Sequence, residues 1–209
     1  MESHTSCISS NDSISSTNTH IQWRAEEASG GNAEALQALR ELIIFPLHYS
    51  RLAQKLGLKW LRGLLLYGPP GTGKTSLVRA VVQECGAHLK IISPHSVHRA
   101  HAGESERILR EAFAEASSHA ALGKPSVIFI DEIDALCPWR DSKMEQDVRV
   151  ASQLFTLMDS NKPSSSMPGL VVASTNRVDA IDPALRRSGR CDAEIEVTVP
   201  TEEERFQNS

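Results

Sequence analysis

The chain has 209 residues, a formal net charge of -4 and a pI near 6.1, a size that holds one α/β domain with a tail, or two small domains. With 22 Lys and Arg against 26 Asp and Glu, it lacks the basic balance of a chain built mainly to grip nucleic acid. No apolar run approaches the roughly 20 residues needed to span a bilayer, and the N-terminus has no secretory-signal pattern. Cys7, Cys85, Cys137 and Cys191 are scattered without a C-x-x-C pair, so they argue for neither a disulfide framework nor a zinc site. Free thiols in a cytosolic or nuclear protein are the simplest account.

Residues from Met1 to about His20 are dominated by Ser, Thr and Asn. Such a segment buries too little apolar surface to offset its ordering entropy, which predicts a disordered tail over 1–22. From Asn32 the pattern turns helical, with Ala35, Leu36, Leu39, Leu42 and Ile43 on one face. Pro46 is expected to end or bend that helix, and a second short one, near Ser50 to Leu56, closes at Gly57. Leu64-Leu65-Leu66-Tyr67 reads as a buried strand, and Ser76 to Glu84 as a helix stopped by Gly86. Between them Gly68-Pro69-Pro70-Gly71-Thr72-Gly73-Lys74-Thr75 fits G-x-x-x-x-G-K-[ST], the phosphate-binding loop, in the strand–turn–helix context that makes the motif credible.

His88 to Ile92 reads as a strand, stopped by Ser93-Pro94. Ile108, Leu109, Ala112, Phe113 and Ala116 then recur at helical spacing. Gly123-Lys124-Pro125 breaks the chain before Val127-Ile128-Phe129-Ile130, an apolar strand that ends in Asp131-Glu132. A helix from about Met144 to Asp159 is expected to turn Val148, Ala151, Leu154, Phe155 and Met158 inward. Lys162 to Pro168 is a loop, Leu170 to Asn176 a fourth strand, and the alternating Ala193 to Val199 a fifth. Strands alternating with helices imply an α/β fold: a five-stranded, parallel, doubly wound sheet with helices on both faces, and ligand bound at the strands' carboxyl ends.

The chemistry collects at those ends. Glycines let backbone N–H groups approach phosphate oxygens, and the following helix N-terminus adds partial positive charge. Lys74 would reach the β- and γ-phosphates and the Thr75 hydroxyl would ligate Mg²⁺. Asp131 would hold the same ion, directly or through water, while Glu132 acts as general base on the attacking water. Asn176, ending the fourth strand, can orient that water or sense the γ-phosphate. Asp182 to Arg190 concentrates Arg186, Arg187 and Arg190 around a glycine turn. By itself such a run reads as solvated surface, yet guanidinium groups also suit the charge that develops on a transferred phosphoryl group, an effect worth about 10³–10⁵ in rate. His95, His98 and His101, three apart, read as solvated loop histidines rather than converging ligands. Trp60 and Trp139 read as packing or interface residues.

GPPGTGKT, VIFIDEID, ASTN and DPALRRSGR, in this order, resemble the AAA branch of the AAA+ ATPases. The likeness is in particular to the valosin-containing protein and cell-division-control family, and there to the first ATPase domain of a plant-type B paralogue. It covers about Trp23 to Glu204, making 23–204 the ATPase core and 205–209 an end that leaves the family pattern. The resemblance implies a P-loop NTPase fold that binds ATP with Mg²⁺ through Gly68, Pro69, Pro70, Gly71, Thr72, Gly73, Lys74, Thr75 and Asp131. Backbone around Gly30 would contact the base, in a segment where Ala28-Ser29-Gly30-Gly31 replaces the family's Asp-Ile-Gly-Gly. In a full-length hexameric ring, Arg187 and Arg190 match arginine fingers acting on the neighbour's ATP, and Asn176 matches the family's sensor. Ala100-His101-Ala102-Gly103 matches a pore loop, with His101 in place of an aromatic. Ser188 and Cys191 replace bulkier residues beside the fingers.

The implied activity is hydrolysis of ATP to ADP and phosphate. In the full-length parent it would drive unfolding and segregation of protein clients, ubiquitinated ones among them, in cell division and protein quality control in the cytoplasm or nucleus. Two alternatives stand beside it: a truncated nucleotide-binding regulatory subunit without significant hydrolysis, and a nucleic-acid AAA+ motor, which the acidic balance and the GESE-type pore region disfavour. Thr201 to Ser209 is too short to build the helical lid that follows this core in the family. The resemblance therefore implies a truncated or alternatively spliced form that, alone, binds ATP weakly, turns over little and stays mostly monomeric.

Overall fold

The apolar runs become strands because nearly every side chain on them is covered. β1 (Gly63–Tyr67), β3 (Ser126–Ile130) and β4 (Leu170–Thr175) are buried along almost their whole length, the mark of central strands with helices on both faces. β2 (His88–Ile92) and β5 (Ala193–Glu196) are only partly buried. They close the two edges of an all-parallel five-stranded sheet in the order β2-β3-β4-β1-β5. The computed structural model describes residues 32–49, 52, 55, 56, 61–98, 103–139, 145–160 and 169–199.

Side-chain alternation along each strand divides the core in two. Leu64, Leu66, Val127, Phe129, Leu170 and Val172 pack with α1 (Ala33–His48) and α2 (Lys74–Glu84) on one face. Leu65, Ile128, Ile130, Val171 and Ala173 pack on the other with α3 (Pro94–His98), α4 (Glu104–Ala121), α5 (Ile133–Leu136) and α6 (Glu145–Ser160). The expected five-stranded parallel sheet with helices on both faces is therefore present. No helix among the described residues is long and apolar enough to cross a membrane. Cys85, Cys137 and Cys191 carry free thiols.

The structure departs from the sequence reading in four places. α1 runs two residues past Pro46: Leu47 is fully buried in the core and holds the last turn in register, and the Tyr49 N–H reaches the Phe45 carbonyl across the proline at 2.9 Å. On α6 the buried stripe runs through Val150, Leu154 and Met158, so Val148, off that four-residue line in the first turn, is 45% exposed. His95 and His98 lie on the short helix α3 rather than in a loop. β5 ends at Glu196, although Val197 is still buried and its N–H pairs with the Tyr67 carbonyl. The tail 1–22, the segment around Gly30, most of the Ser50–Leu56 stretch, Trp60, the 100–102 stretch with His101, the 162–168 loop and 205–209 lie outside the described residues.

β1 sits between β4 and β5, and its first residue touches the arginine-rich turn. A Cβ on Gly63 would lie 2.1 Å from the Arg190 carbonyl oxygen, while the Gly63 carbonyl accepts from the Asp192 N–H at 3.0 Å. Backbone on both sides leaves nothing flexible to give way. Gly63→Ala should therefore cost about 1–3 kcal/mol of stability, the range for overpacking. Urea unfolding measures it, and an unchanged midpoint would show that this contact can relax freely.

Candidate nucleotide-binding and hydrolysis site

The loop Gly68–Thr75 leaves the carboxyl end of β1 and becomes the first turn of α2. Gly68 starts it against the residue after β5: a Cβ there would lie 2.0 Å from the Val197 carbonyl oxygen. Gly73 is the N-cap of α2 at φ 80°, a left-handed conformation costly for any residue with a side chain. No side chain caps this helix start, and no acidic residue lies in its first turn. Its leading N–H groups and its dipole are thus open to an anion.

Lys74 is only 7% exposed. Its Nζ donates to the carbonyls of Gly68 and Pro69, both at 2.8 Å, and faces Thr72 Oγ1 at 3.5 Å. Thr72 Oγ1 donates to the same Pro69 carbonyl at 3.0 Å. Burial lowers the Lys74 pKa, and the nearby Asp131 and Asp134 carboxylates oppose that shift. The cation is thus held over its own loop by neutral acceptors, where phosphate oxygens can replace them.

Asp131 follows the last residue of β3 and is the point where three strands meet. Its Oδ2 accepts from Thr75 Oγ1 at 2.8 Å. Its Oδ1 accepts from the Ser174 hydroxyl and, at 3.1 Å, from the Glu132 N–H. Ser174 is on β4, which pairs with both β1 and β3. A hydroxyl and a carboxylate side by side are hard oxygen donors of the kind Mg²⁺ takes. Thr75 and Asp131, expected from the sequence as the metal pair, are therefore together and suited to the ion.

Glu132 is exposed and has φ 46° and ψ 52°; it is the one non-glycine residue with positive φ among the described residues. That backbone costs of order 1–3 kcal/mol, and such residues collect at functional sites. The conformation starts α5 at once, with the Ala135 N–H on the Glu132 carbonyl at 3.0 Å. Asn176 is exposed just past β4 and its side chain bonds to none of the described residues. Thr175 fixes the backbone around it: its hydroxyl donates to Asp134 at 2.7 Å and accepts the Arg177 N–H at 2.9 Å.

The three arginines of the 182–190 turn have separate fates. Arg186 pairs with both oxygens of Glu194. Arg190 grips both oxygens of Asp159 at 3.0 and 2.9 Å, donates to the Ala184 carbonyl at 2.8 Å and stacks over Phe155 at 4.3 Å. Arg187 is exposed and pairs with no acid among the described residues. Of the two arginines matched to fingers, Arg187 is therefore exposed while Arg190 is held on Asp159 and Phe155. Asp159, at the end of α6, takes Arg190.

Sequence reasoning passed over Ser174, Asp134, Thr175 and Asp159. Ser174 and Thr175 end a strand and Asp134 follows the strand-end Asp131-Glu132 by two residues, a local placement that could have marked them. Asp159 had no signal, since its partner is 31 residues away.

A family profile described as "ATPase family associated with various cellular activities (AAA)" matches residues 64–199. The chain is 77% identical over 187 residues to "Cell division control protein 48 homolog B" of Arabidopsis thaliana, covering 89% of this chain and 31% of that protein. It is 46% identical over 187 residues to "ATPase family gene 2 protein homolog B" of Homo sapiens, covering 90% and 24%. Over 180 residues it is 48% identical to "Cell division cycle protein 48 homolog" of Archaeoglobus fulgidus, covering 86% and 24%. The chain thus spans less than a third of the length of these relatives. The phosphate loop, the strand-end carboxylates and the parallel sheet agree with this match, and the chain belongs to the AAA family of ATPases.

Proposed function

We propose that this chain binds ATP with Mg²⁺ and hydrolyses it to ADP and phosphate, as one AAA domain of a longer, ring-forming protein-remodelling ATPase. The observation that supports it most is the 2.8 Å contact between Thr75 and Asp131 beside a buried Lys74 and an exposed, backbone-strained Glu132. Mg²⁺ bound by Thr75 and Asp131 would neutralise phosphate charge; the chain's own groups do the rest. Lys74 and the first turn of α2 bind the phosphates. Glu132 takes a proton from the attacking water at its carboxylate oxygen, and Asn176 orients that water. Gly30, outside the described residues, is the proposed backbone contact to the base.

Arg187 is the residue we assign to the neighbour's ATP, and Arg190 supports it. The Arg190–Asp159 pair and the Phe155 stack hold the turn on which Arg187 stands; in an assembled ring Arg190 reaches the neighbour only by leaving Asp159. A hexamer with ATP at each boundary, protein clients including ubiquitinated ones, work in segregation and quality control during cell division, and residence in cytoplasm or nucleus complete the proposal. They rest on the likeness to the Cdc48-type relatives.

Lys74→Ala should abolish most nucleotide binding by this chain, read with a fluorescent ATP analogue. Glu132→Gln should bind as well as the parent and lose about 10²–10⁴ in turnover, the usual contribution of a general base. Full phosphate release by a Glu132→Gln ring would exclude that role, and an unmodified assembled ring without turnover would favour the regulatory-subunit reading.

The two arginines should separate by stability. Arg187→Ala should leave the melting curve alone and slow an assembled ring by about 10³–10⁵. Arg190→Ala should also cost about 1–3 kcal/mol of stability, because charged hydrogen bonds and a cation–π contact go with it. Equal melting curves for the two variants would show that the Asp159 clamp contributes nothing to the fold.

A further inference from the structure

The edge strand β2 opens with His88, and α4 crosses beside it carrying Glu115 and His119 four residues apart, hence on one face. His88 Nε2 lies 3.3 Å from Glu115 Oε1, and the His88 and His119 rings stack at 3.9 Å between centroids with 11° between planes. One donor atom from each of the three residues lies within 4.8 Å of the others. The Nδ1 atoms of both histidines are buried without a hydrogen-bond partner. Backbone contacts pin the ligand-bearing positions: the His88 N–H donates to the Pro125 carbonyl at 2.8 Å, and the His119 carbonyl accepts from the Lys124 N–H at 3.0 Å. Lys90 Nζ sits on Glu115 Oε2 at 2.5 Å and holds the carboxyl below its usual pKa.

We propose that His88, Glu115 and His119 form a zinc site that ties the edge strand β2 to the C-terminal half of α4. Two imidazoles and a carboxylate are a borderline donor set that suits Zn²⁺ over Mg²⁺. A tetrahedral ion with bonds of about 2.0–2.1 Å needs donors roughly 3.4 Å apart, and the His88–Glu115 pair already has that separation at 3.3 Å. Ring nitrogens bind through lone pairs in the ring plane, so the two stacked rings must splay for both to converge on the ion. Lys90 is a cation standing where the metal charge would go, and it must move off Glu115. Water completes the fourth position. The scattered cysteines carried no such signal in the sequence, and the three histidines spaced by three belong to another segment.

The site is remote from the nucleotide. His88 is the first residue of β2, whereas the phosphate loop and Asp131 lie at the carboxyl ends of strands in the same parallel sheet. Metal binding can therefore be read without ATP.

The test is Zn²⁺ titration of the metal-stripped full chain against a chromophoric chelator, with excess Mg²⁺ present to occupy the oxygen-only pair Thr75 and Asp131. One equivalent should bind, raise the melting temperature, and give with Co²⁺ the intense visible bands of four-coordinate cobalt. His88→Ala and His119→Ala, each checked for fold by circular dichroism, should weaken Zn²⁺ by more than ~100-fold, beyond the roughly 10–100-fold cost of losing a residue that only hydrogen-bonds to a ligand. Lys90→Ala should tighten it, because the competing cation is gone. A variant with His95, His98 and His101 all changed to Ala should keep the full equivalent. Binding that survives loss of both His88 and His119, follows the other three histidines, weakens in Lys90→Ala, or gives only six-coordinate cobalt bands would overturn the proposal. So would a parent chain with no saturable site.

Discussion

The carboxylate of Asp131 holds the working end of this sheet together. Its two oxygens take donors from three directions: the Thr75 hydroxyl at the start of α2, the Ser174 hydroxyl on β4 and the Glu132 N–H beyond β3. Each donor reaches it only because β1, β4 and β3 run parallel in adjacent register, with Ile130 beside Ala173 and Leu66 beside Ser174. Slipping any strand by one residue would turn its side chains to the other face and separate the hydroxyls from the acid. Packing along the sheet thus fixes where Thr75 and Asp131 meet at its carboxyl end, and the two apolar cores are what hold that register.

From the same segment a second set of contacts leads to the arginine turn. After Glu132 the chain makes α5 and then pairs Pro138 with Ile181 in an antiparallel bridge. The Trp139 N–H meets the Ala180 carbonyl at 2.8 Å, and the Asp182 N–H meets the Cys137 carbonyl at 2.9 Å. Asp182 then caps the next turn through the Ala184 N–H at 2.8 Å. Cys137 and Cys191 fill the space beneath; burial raises both thiols, Cys191 to about 12, so they pack as small apolar groups. The segment that follows Glu132 and the turn carrying Arg187 are therefore joined by backbone hydrogen bonds.

Much of this was legible in the sequence because it is local. The phosphate loop declares itself by glycine spacing between a strand and a helix, and β1, β3 and β4 by apolar runs long enough for one buried strand each. What was not legible depends on tertiary contact. Pro46 breaks an isolated helix, but burial of Leu47 keeps α1 going past it. Three arginines in one turn look alike, yet Glu194 takes Arg186 and Asp159 takes Arg190, so only the folded chain shows which is exposed. The left-handed Glu132 has no local cause at all, since nothing in Asp-Glu-Ile-Asp asks for positive φ.

The charges at the site also set the order in which its ligands can be accepted. Asp131 and Asp134 lie near one buried lysine, whose pKa burial lowers and those two carboxylates raise. A triphosphate meeting this arrangement gains Lys74 and the uncapped first turn of α2 but faces carboxylates across the gap. Two charges about 4 Å apart interact by about 4 kcal/mol at an effective dielectric near 20, so uncompensated repulsion of that size would cancel the gain from one lysine. A divalent cation held by Thr75 and Asp131 would supply positive charge there and offset that repulsion. On the proposed roles, Lys74 and the first turn of α2 would hold a nucleotide's phosphates, and an ion held by Thr75 and Asp131 would be needed to bring the terminal phosphate beside Glu132 and Asn176.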